Sequence, residues 1–156
     1  MREIGLLLLF LLITSILPGA TDGEITLCDL GDHSSFEGKR LSIRGRLGFT
    51  MHGTAFLPEP CKNSPPGVAV LFPGNENSPK VEFTFDPQTL ERLSLFFRPT
   101  GGSATACGVL TGKLFYKRDF RLRREGAGPQ GNGYGPRGAL RWGFVLEFVG
   151  EIHPCD

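Results

Sequence analysis

Charge of neither sign is in surplus: 17 Lys and Arg face 16 Asp and Glu, a formal net charge of +1 at pH 7. Bulk electrostatics therefore single out no polyanionic partner. Histidine is scarce, and His33, His52 and His153 fall into no two-histidine metal pattern and no Ser–His–acid order. Each reads as a surface or turn residue rather than a ligand or proton carrier. Gly131-x-Gly133-x-Gly135 lacks the Lys-Ser/Thr that completes a phosphate loop, and no amphipathic helix follows it. No two acidic residues stand at adjacent or alternating positions in any barrel strand assigned below. A nuclease-type hydrolase would need carboxylates and arginine clustered at a metal, so this dispersal argues against one. No catalytic constellation, cofactor fingerprint or metal set emerges. A long apolar run is missing too: the longest, Ile4 to Leu17, falls short of the ~20 helical residues that cross a hydrocarbon core.

That short run is informative for another reason. Arg2 precedes it and Pro18-Gly19-Ala20-Thr21-Asp22-Gly23 follows, the layout of a signal peptide: a charged start, an apolar centre and a small-residue exit. Residues 1–23 are read as that peptide, with cleavage open among Gly19, Ala20 and Gly23. Residues 24–156 are read as one domain, because the length suits a single core. Cys28 follows Leu27 and lies well beyond the apolar run, which argues against lipidation. The expected location is extracytoplasmic, periplasmic or secreted, with no transmembrane segment after processing. Without residues 1–23 the chain keeps 16 basic and 14 acidic groups.

Export makes disulfides the natural use of Cys28, Cys61, Cys107 and Cys155. The alternative, a metal site drawing on Cys28 with His33 or Cys155 with His153, matches no standard zinc spacing.

The hydrophobic pattern of the remaining chain is mostly of period two, the mark of half-buried strands. Leu41, Ile43, Gly45, Leu47 and Phe49 alternate with Arg40, Ser42, Arg44 and Arg46. Met51-His52-Gly53 turns into a short second strand, Thr54 to Leu57, which Pro58-Glu59-Pro60-Cys61 closes. Val68 to Phe72 is continuously apolar and reads as a buried strand. Val81, Phe83 and Phe85 alternate again, extending the sheet or leading into a helix. Asp86 as N-cap, Pro87 at the first helical position, and Leu90, Leu93 and Phe97 predict that helix, ending near Arg98-Pro99. Two long strands follow, from about Ala104 to Tyr116 and from about Leu140 to Ile152. In the second, Leu140, Trp142, Phe144, Leu146 and Phe148 share a face. Between them Gly126 to Ala139 holds six glycines and two prolines. The expectation is a flexible or specially turned loop that buries no core.

Three strands, a helix and two long strands give the element order of the OB-fold, a five-stranded Greek-key barrel. The expected fold is therefore all-β with one helix, an OB-like barrel stabilised by disulfides. Phe36-Glu37-Gly38-Lys39-Arg40-Leu41-Ser42-Ile43-Arg44-Gly45-Arg46-Leu47, with His52-Gly53, Leu57 and Cys61, is similar to a group of exported bacterial OB-like proteins. The resemblance implies fold and compartment and no particular activity.

Hairpin geometry ranks the cysteine pairings. If the two long strands pair around a loop centred near residue 132, Cys107 and Cys155 lie roughly opposite each other, close enough for a disulfide. Cys28–Cys61 then follows by elimination. A β-bulge in either strand would shift that register.

The densest charge lies at Lys117, Arg118, Arg121, Arg123 and Arg124. On a continuous strand Arg121 and Arg123 share a face with Asp119, opposite Arg118, Phe120, Leu122 and Arg124. Joined by Arg44, Arg46 and Tyr116, these cations would form an electropositive groove; the plain alternative is a solvated hairpin end. Expected partners are an anionic glycan, a lipid headgroup or an acidic protein surface, with nucleic acid disfavoured by export and no cofactor implied. The function these features suggest is a non-catalytic binding module using the barrel face and the loop between strands four and five. A secreted hydrolase acting on nucleic acid or another polyanion is the alternative.

Overall fold

The computed structural model describes residues 23–31, 34–50, 52–72, 79, 87–95, 104–125 and 128–155, though not the side chains of Ser34, Pro87, Leu90 and Glu125. The signal-peptide reading of residues 1–22, the expected strand at 81–85, the Asp86 cap, Phe97 and His33 lie outside these residues.

The described chain opens with strand β1 (Glu24–Thr26) and one turn of helix, α1 (Leu27–Leu30). The barrel strands are β2 (Arg40–Thr50), β3 (Gly53–Phe56), β4 (Val68–Leu71), β5 (Ala104–Tyr116) and β8 (Trp142–His153). Helix α2 (Pro87–Ser94) lies between β4 and β5, and a small hairpin, β6 (Leu122–Glu125) and β7 (Gly128–Gly131), between β5 and β8. The barrel order is β2-β3-β4-β8-β5, closed by pairing of β5 with β2. All barrel contacts are antiparallel except β4–β8. The fold is thus the expected OB-like barrel, mostly β, with two short helices where one was anticipated.

Alternation in β2 comes out as read: Leu41, Ile43, Leu47 and Phe49 are buried, while Arg44 and Arg46 face solvent. Gly45 completes the inner row because a Cβ there would stand 3.1 Å from the Phe56 ring. That ring meets Phe144 edge to face at 5.8 Å across the core. The short β3 leaves part of the β2 edge open. Strand β1 fills it, pairing in parallel with Ser42, Ile43 and Arg44.

β4 is buried on both faces, which accounts for its unbroken apolar run. Val68 and Val70 enter the main core, whereas Ala69 and Leu71 enter a second cluster with Val145, Phe115, Tyr134 and Leu140 outside the barrel wall. Tyr134 belongs to the glycine-rich loop, so the expectation that this loop buries nothing is corrected. Its turns fold the loop flat enough to supply one ring: Tyr134 and Leu140 bond to each other in both directions, and a 3-10 turn covers Pro136–Gly138. Gly143 must remain bare beneath that ring, since a Cβ would stand 2.6 Å from it.

Phe148 departs from the expected face. Trp142, Phe144 and Leu146 point inward, but Phe148 is 38% exposed and Val149 is buried in its stead. Pairing with β5 shifts between Thr111 and Gly112 and again between Gly108 and Leu110, each time giving β8 an extra residue. Every such bulge reverses the alternation. The second shift returns Ile152 to the core edge. Both bulges lie against a glycine: a Cβ on Gly112 would stand 2.2 Å from the Val145 carbonyl oxygen, and one on Gly108 2.4 Å from that of Glu151. At the first irregularity Glu147 is enclosed between Arg40 (2.6 Å) and Lys113 (3.9 Å). At the second, the Arg92 guanidinium of α2 donates to the Val149 carbonyl. α2 itself is shorter than expected. It ends at Ser94, whose hydroxyl donates to the Glu91 carbonyl at 2.6 Å and satisfies it locally.

Both anticipated disulfides are present. Cys28–Cys61 ties α1 to the proline-rich β3–β4 connection, and Cys107–Cys155 ties the start of β5 to the end of the chain. The register falls short of the second: the ribbon starts with Tyr116 opposite Trp142, and the two extra residues of β8 bring Cys107 only as far as His153, two positions before Cys155. The chain bends beyond β8 to bring the Cα atoms of Cys107 and Cys155 within 5.0 Å.

Candidate functional site

The eight residues of the expected groove do not form one surface. Arg44 and Arg46 lie opposite Val109 and Cys107 near the start of β5, whereas Tyr116 ends that strand. Nine residues from Cys107 to Tyr116 span roughly 30 Å of extended chain. Arg44 and Arg46 instead line a shallow concavity with Glu59, Cys107 and His153. Arg44 there bonds Glu24 at 2.6 Å and reaches Glu151 at 3.5 Å. Cys28, Cys61 and Glu59 come within metal-binding distance of one another, with a Glu59 oxygen 3.1 Å from the Cys28 sulfur. Both sulfurs are bonded to each other, so neither supplies the thiolate a metal requires. Cys155 is likewise spent, and His153 Nδ1 lies 2.9 Å from the Pro154 carbonyl.

At the far end of β5 the basic stretch is not a continuous strand. A turn at Arg118-Asp119, with Phe120 N–H donating to the Lys117 carbonyl at 3.3 Å, separates β5 from β6. The turn sorts the cations into two groups. Lys117 is neutralised by Asp119 at 3.4 Å and Arg118 by Glu37 at 2.9 Å. Arg121, Arg123 and Arg124 are exposed and have no carboxylate partner among the described residues. Tyr116 is occupied as well. Its ring packs on Trp142 at 4.5 Å and its hydroxyl accepts from Arg141 at 2.9 Å. The Arg141 guanidinium lies over both the Tyr116 and Phe120 rings, at 5.4 and 5.5 Å. Arg141 was not legible as a site residue because it stands alone in the sequence, 17 positions past the basic stretch.

The hairpin pairs Arg123 with Gln130, and Arg121 with Asn132 one step further on. Asn132 accepts from the Arg121 N–H at 2.8 Å and donates to the Asp119 carbonyl at 3.0 Å, locking the hairpin base. Arg121, Arg123, Gln130, Gly131 and Asn132 line a concavity of about 330 Å³.

The larger feature is a cleft of about 750 Å³ on the barrel face. Outward-facing Gly48, Thr50, Gly53 and Ala55 form a floor of small side chains on β2 and β3. Leu57, Leu140, Pro129 and Pro136 supply apolar walls, and His52 and Arg137 are its only ionisable lining among the described residues. The loop that seals the outer face of β4 thus stops short of β2 and β3 and becomes a wall. Arg137 is held at φ 55°, a left-handed conformation uncommon for a residue with a side chain. Sequence reasoning placed recognition on the barrel face and this loop but assigned none of the lining residues to a site. Glycine, alanine and proline carry no chemical signature, so pairing alone brings them together.

Most of the described carboxylates serve structure. Glu24, Glu37, Glu147 and Glu151 are in ion pairs, and Asp29 accepts from the N–H and hydroxyl of Thr26, both at 2.8 Å. Those two bonds, the backbone one foremost, hold the Asp29 carboxyl below its usual range.

The fold and its clefts define an OB-type barrel with a walled face beside the loop between its last two strands. Comparison with known families, characterised proteins and solved structures yields no match.

Proposed function

We propose that the protein is a non-catalytic binding module of an extracytoplasmic compartment, and that its barrel-face cleft takes an anionic ligand with an apolar body. The cleft carries this reading: small floor, apolar walls and, among the described residues, two ionisable side chains that are both cationic when charged and no carboxylate in the lining. It occupies the face and loop by which OB barrels commonly recognise ligands, a likeness of fold and not of partner. Two disulfides, and the apolar segment from Ile4 to Leu17, support the compartment. Among the described residues no helix is long and apolar enough to cross a membrane. The resemblance to exported bacterial OB-like proteins points the same way.

Anilinonaphthalene sulfonate, an apolar ring system with one anionic group, probes the cleft. The folded protein should bind it in one-to-one ratio with enhanced fluorescence. Ala55→Trp, which fills the floor, should weaken binding at least tenfold. Arg137→Gly, which keeps the left-handed backbone and removes the cation, should weaken it severalfold. Unchanged binding in both variants, with circular dichroism as in the parent, would refute the assignment.

A further inference from the structure

We propose that the Arg121–Arg123 face of the β6–β7 hairpin is a second binding site, for sulfated polysaccharide, with the two guanidiniums taking sulfate groups of one chain. The site goes beyond the barrel-face cleft and does not depend on it, because among the described residues the two linings share no member.

The first ground is selective neutralisation. Of five cations in eight residues, Lys117 and Arg118 are matched by Asp119 and Glu37, whereas Arg121 and Arg123 lack a carboxylate among the described residues. Both line one concavity that, among the described residues, includes no acidic side chain. Two like charges on one face repel each other, and an anion between them removes that cost.

The second ground is spacing and stiffness. Residues two apart on a strand project to the same side about 7 Å apart. The guanidiniums therefore form a row that meets successive anionic groups of a linear polymer, each able to hold a tetrahedral anion with two parallel N–H donors. Gln130, opposite Arg123, adds a neutral amide suited to hydroxyl groups. The row is fixed in advance by the Asn132 latch on the Arg121 backbone. Beneath it Gly131 lies so close to its neighbours that a Cβ would stand 2.5 Å from the Gly138 carbonyl oxygen. Preorganisation of this kind lowers the cost of ordering the site on binding.

The third ground separates polysaccharide from nucleic acid. Single strands are held by bases stacked on aromatic rings along a cationic groove. Among the described residues no aromatic side chain lines this concavity, and the nearby Tyr116 and Phe120 rings already carry Arg141. What is offered is charge and hydrogen bonding, without a stacking platform.

Binding of size-defined heparin, of the same heparin chemically desulfated, and of an oligothymidylate should be measured at several salt concentrations. Heparin should bind most tightly, and desulfation should weaken binding at least tenfold. Arg121→Ser with Arg123→Ser should weaken heparin binding roughly a hundredfold and flatten its salt dependence, each arginine accounting for about tenfold. Arg121→Lys with Arg123→Lys, which keeps charge and loses the fork, should fall between this pair and the parent. Lys117→Ser with Arg118→Ser should change binding by less than threefold. Equal losses in the two serine pairs, or indifference to desulfation, would overturn the proposal in favour of diffuse charge. Oligothymidylate binding as tight as heparin and dependent on the same arginines would overturn it in favour of nucleic acid. Ala55→Trp should leave heparin binding unchanged, so failure at one site is distinguishable from failure at the other.

Discussion

Gly112→Ala tests the bulged β5–β8 ribbon most directly. The new Cβ would stand 2.2 Å from the Val145 carbonyl oxygen, and ordinary contact begins near 3.4 Å, so the strands must part by about 1.2 Å at that point. Val145 and Leu146 are buried, and Leu146 pairs with Gly112 itself, which leaves little room for a local adjustment. Loosening the two flanking ladder bonds costs ~1 kcal/mol each. Overpacking adds ~1–3 kcal/mol. Reduced freedom of the unfolded chain returns ~0.7 kcal/mol. The net loss is about 3 kcal/mol, or a fall in Tm of roughly 10 °C for a domain of this size. Gly38→Ala is the control: its Cβ would meet nothing within 4 Å, and only the left-handed backbone at φ +75° opposes it, for ~1 kcal/mol. Urea unfolding followed by Trp142, the single tryptophan and a buried one, reports both variants. A Gly112→Ala variant within 0.5 kcal/mol of the parent, or no worse than Gly38→Ala, would refute the close approach.

Replacing Cys107 and Cys155 together by serine opens a 48-residue span and should cost up to about 4 kcal/mol in the chain-entropy limit, measured by the same denaturation. Tyr134 should ionise above the ordinary tyrosine range, because burial, and then the charges of Glu37 and Asp119, favour its neutral phenol. With the folded-state value raised, the stabilisation is fully present below pH ~10 and is lost as pH rises through the folded value. Ultraviolet titration against Tyr134→Phe isolates the residue, since Tyr116 is the only other tyrosine.

The barrel was legible wherever one strand face is dry and the other wet. Arg40 to Phe49 announces its own register because each wrong-facing residue would bury a cation or expose a Leu or Phe. The same logic misplaced Phe148, since alternation assumes an unbroken ladder. Gly108 and Gly112, two bare positions inside a long strand, were the available sign that a neighbour's backbone comes close. The glycine-rich loop was read from composition, and composition hides the fact that one ring, Tyr134, suffices to seal a barrel face. In the candidate site, charge density pointed to the correct segment but could not sort it. Which cations are free depends on Glu37, some 80 positions away, and on the turn that gives Asp119 to Lys117. Arg44 and Arg46 fell outside because antiparallel pairing sends them to the opposite end of β5.

Arg44, bonded to both Glu24 and Glu151, gathers the first described strand and the last at one place. The β6–β7 hairpin springs from the other end of the β5–β8 ribbon, past Tyr116 and before Trp142. The described chain therefore enters at Gly23 and leaves at Cys155 on the same side, with the arginine-bearing tip at the far end of the ribbon. Orientation on a solid support follows: coupling through a cysteine introduced at Glu24 or Glu151 should leave that tip accessible, whereas coupling through Lys117 should obstruct it.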